Sequence, residues 1–154
     1  MGFFDAFKEP SKNDLEKIEL FISSAKYYQS DISKYLDKFG VINNRYIIET
    51  YKENDMVVYK YQSFNIKNYR FDKETKNQDD KNAIKIVAGN LTSMFTLGYI
   101  PKEFNVKFAE LLKTNKIYNV NLKILGGDYK IIAANDTQLM NKDYTVILDI
   151  LVKK

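Results

Sequence analysis

Residues 79–104 read DDKNAIKIVAGNLTSMFTLGYIPKEF, and the reading of this stretch decides the fold. Ile84 and Ile86 flank Lys85, a polar Gly-Asn-Leu-Thr-Ser run follows, and Met94–Ile100 is again rich in β-forming residues. Two such runs joined by a short polar turn predict a hairpin. Pro101 then suits the first turn of a helix, where its missing N–H costs nothing. Phe104, Phe108, Leu111 and Leu112 follow at helical spacing, predicting an inserted helix over about 102–114. An acid-rich turn at Asp79-Asp80 precedes the hairpin, and a Gly98-Tyr99-Ile100-Pro101-Lys102 corner ends it. Core packing alone requires neither feature.

The flanking sequence is also β-rich. YNVNLKIL leads to Gly126-Gly127, a turn or bulge signal, followed by YKIIAA, a polar loop NDTQLMNKD and the apolar run YTVILDILV. Upstream, RYIIETY and MVVYKYQ flank KEND as a second hairpin, and FNIKNYRF alternates before a charged loop, DKETKNQDDKN. The N-terminal part reads as a helix, capped by Ser11 or Asn13 and stopped at Gly40. Leu15, Ile18, Ile22, Ala25, Gln29, Ile32, Leu36 and Phe39 form a heptad seam with one polar interruption, Gln29. Such a seam either covers the protein's own sheet, the usual role of an amphipathic helix, or receives a partner helix or a second copy through Ile18, Ile22, Ile32 and Leu36. A break into two helices near Gln29–Ser33 is compatible with the pattern. The expected organisation is an N-terminal helical extension and first strand over 1–54, followed by a β-barrel over 55–154. The fold class is α+β: a small antiparallel barrel of the OB-like kind with one inserted helix and an N-terminal amphipathic helix.

The chain has 154 residues and 45% hydrophobic content, enough for one self-sufficient core. It has no cysteine and no histidine. That removes disulfides, Cys/His zinc sites, thiolate nucleophiles and histidine bases, so the expectation is a protein that is not an enzyme and needs no cofactor or metal. No apolar run reaches the roughly 18 residues of a membrane span, and no signal peptide is present, so a cytoplasmic location is expected. Residues 1–54 carry 8 basic and 9 acidic groups, and residues 55–154 carry 16 basic and 11 acidic groups. The basic excess thus lies in the C-terminal two-thirds. It is almost all lysine, which supplies charge without the rigid fork that reads guanine. An AT-rich genome would produce the same Lys-, Asn- and Ile-rich composition.

Taken in order, Asp80–Ile84, Gly98–Glu103, the helix to about Leu112 and Gly126-Gly127 resemble the HIRAN domain family. The resemblance runs from about residue 56 to about 152. It implies a β-barrel related to the OB type, found fused to DNA translocases and as free-standing bacterial and phage proteins. It also implies binding of single-stranded DNA at a free 3′ end. On that pattern Asp80 is the acid that accepts a hydrogen bond from a 3′-hydroxyl and repels a 3′-phosphate. Tyr99 is the corner aromatic, and Lys102 holds the next phosphate. Lys60 and Tyr61 match, more loosely, a basic–aromatic pair lining the same pocket. DNA-binding members often carry an aromatic just before the turn acid; here that place holds Asp79, whose extra charge lowers the expected DNA affinity. Each residue also has a plain structural reading: an Asx turn for Asp80 and Asn82, half-burial for Tyr99, a solvated lysine at 102. Two functional readings result. One is a nucleic-acid-binding module for single-stranded DNA or DNA ends. The other is a bacterial or phage accessory protein or inhibitor that docks on a protein partner, or pairs with itself, through the N-terminal helix.

Overall fold

The computed structural model describes residues 11–47, 56–62, 65–133 and 136–154. Its strands form two antiparallel sheets. The first, in spatial order β1-β7-β6-β2, consists of β1 (Leu15–Phe21), β7 (Thr137–Lys153), β6 (Ile117–Ile132) and β2 (Met56–Tyr59). The second holds β3 (Tyr69–Lys73), β4 (Ile84–Asn90) and β5 (Ser93–Tyr99) in sequence order. Helices α1 (Gln29–Phe39), α2 (Asn44–Ile47, one turn) and α3 (Lys102–Lys113) and two 3₁₀ turns, Lys12–Asp14 and Ser23–Tyr27, complete the described elements. Ile84, Ile86 and Leu97 from one sheet and Leu122, Val146, Leu148 and Ile150 from the other are almost wholly buried. They share one core with Ile32 and Leu36 of α1 and Phe108 of α3. The α+β class, the antiparallel strands and the inserted helix are as the sequence predicts.

The β4–β5 hairpin shows why those residues fold so. Ile84 and Ile86 are solvent-free while Lys85 between them is half-buried, the period of a strand facing a core. Asn90 folds the turn: its Oδ1 accepts from the N–H groups of Thr92 (3.1 Å) and Ser93 (2.9 Å). Gly98 has φ +147°, and a Cβ there would lie 2.6 Å from Ile22 Cγ2 and 2.9 Å from Ser24 Oγ. Strand β5 therefore passes Ile22–Ala25 too closely for any side chain. Gly98→Ala is expected to lose about 2–3 kcal/mol, read as a lower urea midpoint.

The N-terminal part departs from the predicted helix. Residues 12–14 are a 3₁₀ turn, 15–21 are strand β1, 23–27 are a second 3₁₀ turn, and only Gln29–Phe39 is α-helical. Leu15, Ile18 and Ile22 fit a heptad, but Ile18, Leu20 and Ile22 equally fit a two-residue period. Pairing decides: β1 aligns along β7 from Leu15↔Lys153 to Phe21↔Ile147, satisfying the backbone of what would otherwise be a bare edge. The seam proposed for a partner faces inward. Ile22 (3% exposed), Ile32 (0%) and Leu36 (3%) are core, and Ile18 packs against it. The side chains of Ile22, Ile32 and Leu36 are therefore not available to a partner helix, whereas Ile18 is only partly buried. Gln29, the polar interruption, has its own task. Its Nε2 donates to the carbonyls of Ala25 and Tyr144, both at 3.0 Å, and its Oε1 accepts from the Tyr144 N–H at 2.7 Å. The side chain thereby acts as a short strand, clamping the start of α1 to β7.

Three further segments differ. The proposed strand RYIIETY is helical over its described part, Asn44–Ile47 providing α2; residues 48–55, like Ser63-Phe64 and residues 1–10, lie outside the described residues. The separate strands YNVNLKIL and YKIIAA are one, β6, bulged between Leu125 and Gly127, where Gly126 and Gly127 take φ +94° and +82°. The loop NDTQLMNKD is strand from Thr137 onward, pairing Thr137↔Ile132 through Lys142↔Gly127. Its side chains are mostly exposed, so no apolar alternation announces it; the ladder to β6 alone sets its conformation.

Candidate nucleic-acid interface

The acid turn and the Gly-Tyr-Ile-Pro-Lys corner meet in space. A cleft of about 400 Å³ is lined by Asp79, Asp80, Tyr99, Lys102, Tyr28 and Ser24, among others. Antiparallel pairing of β4 with β5 returns the end of β5 to the start of β4, with Lys85 opposite Tyr99. Helix α3 starts at Lys102, immediately after the corner, which places an exposed ammonium at the cleft rim. The third wall comes from the 3₁₀ segment after β1, anchored by the Ile22 N–H bonding the Val146 carbonyl at 3.0 Å.

Asp80 is held from three sides. Asn77 Oδ1 accepts from the N–H groups of both Asp79 (2.9 Å) and Asp80 (3.0 Å), which fixes the turn. Asp80 Oδ1 accepts from the Asn82 N–H at 2.9 Å, the Asx turn that residue spacing suggested. Asp80 Oδ2 accepts from Asn105 Nδ2 at 2.7 Å. Asn105 is only 2% exposed, although it sits on α3 between Phe104 and Phe108. A carboxylate has about four acceptor positions, so both oxygens keep one for a ligand. Asn105 takes the inward place that sequence reading gave to Leu112, which is 40% exposed. Its signal was a lone polar residue inside an apolar helical face.

Tyr99 is half-buried and bracketed. Its N–H donates to Ser24 Oγ at 2.7 Å and its hydroxyl to Glu74 Oε1 at 2.7 Å. Burial, then the bond to Glu74, pushes the phenol upward from its ordinary value. That same bond holds the Glu74 carboxyl below its ordinary value, with help from Lys85 Nζ at 3.2 Å. A depressed folded value means that Glu74 stabilises the fold above pH 4.5, its unfolded value, and that this contribution is lost as pH falls through the folded value. Glu74→Gln is expected to flatten that part of the acid limb in a thermal-unfolding series from pH 6 to pH 3.

The ring of Tyr99 lies 6.1 Å from that of Tyr28. Tyr28 and its neighbours were missed in sequence because the segment was read as continuous helix. Tyr27 is 75% exposed, with Lys26 Nζ 5.0 Å from its ring centroid. Lys26 and Tyr27 thus form an exposed basic–aromatic pair on the segment that ends at Tyr28. Lys60-Tyr61 is elsewhere: Tyr61 lines a separate cavity of about 410 Å³ with Leu36, Val58 and Ile124, and its hydroxyl donates to Asp37 at 2.7 Å. The structure thus brings Asp80, Tyr99 and Lys102 together and leaves Lys60 and Tyr61 out of that cleft.

No helix among the described residues is long and apolar enough to cross a membrane. No curated protein matches the chain. The crystal structure of the HIRAN domain of human HLTF is similar at 15% identity, covering 94% of this chain and 84% of that one, with a TM-score of 0.34. The family model for the HIRAN domain matches residues 16–121, starting at β1 within the segment that sequence reading left outside the resemblance. That match spans well over half of the sequence, and the chain belongs to the HIRAN domain family of nucleic-acid-binding modules.

Proposed function

We propose that this HIRAN domain binds single-stranded DNA by a free 3′ end, without catalysis, in the cleft between the Asp80 turn and the Gly98–Lys102 corner. The observation that carries the reading is Asp80 itself. Asn105, Asn82 and Asn77 orient it, and it still has acceptor capacity toward a cleft walled by Tyr28 and Tyr99. A terminal hydroxyl donates to such a group; a terminal phosphate meets two carboxylates, Asp79 and Asp80. Lys102 at the rim suits the next phosphate, and the half-buried Tyr28 and Tyr99 in the cleft wall offer ring faces on which a base can stack, worth about 1–3 kcal/mol. The excess of lysine over 55–154 supplies the salt-dependent attraction.

Fluorescence anisotropy with a short labelled single strand locates the site. Lys102→Ala is expected to weaken binding by about tenfold at low salt and to reduce the salt slope by about one. Lys60→Ala is expected to leave both unchanged. Equal effects of the two would sink the cleft as the binding site.

A further inference from the structure

Strand β1 is an open edge. It pairs with β7 on one side, from Leu15↔Lys153 to Phe21↔Ile147, and no described residue hydrogen-bonds along the other. The Lys154 N–H bonds the Asp14 carbonyl at 2.9 Å and the Ile22 N–H bonds the Val146 carbonyl at 3.0 Å. Antiparallel alternation therefore turns the backbone groups of Glu16, Ile18 and Leu20 toward β7, and those of Leu15, Lys17, Glu19 and Phe21 toward the free edge. Proteins commonly guard such an edge with charge. Here the charges alternate in sign, and they are unsatisfied. Glu19 lies opposite Asp149 within the sheet, a like charge, and among the described residues neither Lys17 nor Glu19 has an ion-pair partner. Phe21 is 60% exposed, and Ile18 and Leu20 are only partly buried.

We infer that a second copy of this chain pairs with this edge, antiparallel, about a two-fold axis at Ile18. The sequence of β1, Leu-Glu-Lys-Ile-Glu-Leu-Phe, decides the register. Pairing all seven residues sets Leu15 against Phe21 of the second copy, Lys17 against its Glu19, and Ile18 against its Ile18. The outward backbone groups then meet one another, because Leu15, Lys17, Glu19 and Phe21 pair only among themselves. Two opposite-charge pairs and two Leu–Phe pairs result on the face away from the core, and both kinds of pair favour facing strands. Moving the axis by one residue puts Lys17 against Lys17 or Glu19 against Glu19. The charge alternation therefore favours this chain's own strand in one register. Antiparallel pairing sends the Ser23–Tyr27 segments of the two copies to opposite ends, so the dimer carries two separate clefts.

One paired edge is a small interface, so the association belongs in the micromolar range. The test is sedimentation equilibrium of the full chain from about 1 to about 200 μM. The wild-type mass is expected to rise with concentration from 18.1 kDa toward twice that value. Lys17→Glu and Glu19→Lys each turn both cross-copy charge pairs into like charges. Each variant alone is expected to self-associate about tenfold more weakly or worse. An equimolar mixture of the two is expected to associate as the wild type does, because each variant offers the charge that the other lacks. Both positions are exposed, and circular dichroism checks that each variant keeps the wild-type fold. A wild type that stays monomeric across the range, a dimer that either single variant leaves intact, or a mixture that stays monomeric overturns the inference.

Discussion

Ile32→Asp is expected to leave the chain unfolded. Ile32 has no solvent exposure and packs within the single core that α1 shares with both sheets. A carboxylate there has no cation facing it among the core residues, so it is either buried at a cost of several kcal/mol or drawn out by peeling α1 from β5. Either outcome approaches the whole stability of a domain this size, about 5–15 kcal/mol. The milder Ile32→Ala should still fold while losing about 3–4 kcal/mol through the cavity it leaves. Urea titrations followed by circular dichroism separate the two. If the apolar seam served a partner instead, Ile32→Asp would give a folded monomer that had lost only an interaction. A wild-type unfolding midpoint for that variant would contradict the packing described for α1.

Asp80→Asn is expected to abolish the preference for a 3′-hydroxyl over a 3′-phosphate, and to reverse it where the wild-type ratio is only about tenfold. The substitution keeps the size of the side chain and the acceptor that closes the Asx turn with Asn82. It removes the charge and places an amide donor where an acceptor stood. Two like charges about 5 Å apart in a partly hydrated cleft repel by about 1–3 kcal/mol. Removing one of the two carboxylates should therefore improve binding of the 3′-phosphate by about tenfold. Binding of the hydroxyl end should weaken by a similar factor, since its strong acceptor is gone. Asn105→Leu is expected to move the same ratio in the same direction but less. It leaves the charge in place and only frees Asp80 Oδ2 from its 2.7 Å bond. Circular dichroism of Asn105→Leu checks that α3 has kept its seat on the core.

The legible part of the molecule was the part written in local chemistry. The β4–β5 hairpin, the helix after Pro101 and the Asx turn at Asp80 each follow from residues within a few positions of one another, and each is where sequence placed it. Asp80, Tyr99 and Lys102 were named together through the HIRAN resemblance that these local motifs carry, and all three line the cleft. The illegible part depends on distant pairing. Leu15–Phe21 is compatible with a heptad and with a strand, and only β7, more than a hundred residues away, selects the strand. That misreading hid the third wall of the cleft, because Ser24 and Tyr28 belong to the turn that follows β1. Thr137–Lys142 carried no apolar alternation because its side chains mostly face solvent, and its conformation is fixed by hydrogen bonds to β6. Gln29 looked like a flaw in a seam. It is the residue that binds α1 to β7.

The central claim is that a free 3′-hydroxyl is the feature this cleft binds. The direct measurement is fluorescence anisotropy of the wild-type chain with one single-stranded DNA carrying either a 3′-hydroxyl or a 3′-phosphate, at low and at moderate salt. The cleft geometry predicts that the hydroxyl strand binds at least about tenfold more tightly and that this ratio persists as salt weakens both affinities. Equal affinities for the two strands, falling together with salt, would contradict it and leave only a basic surface that attracts phosphates.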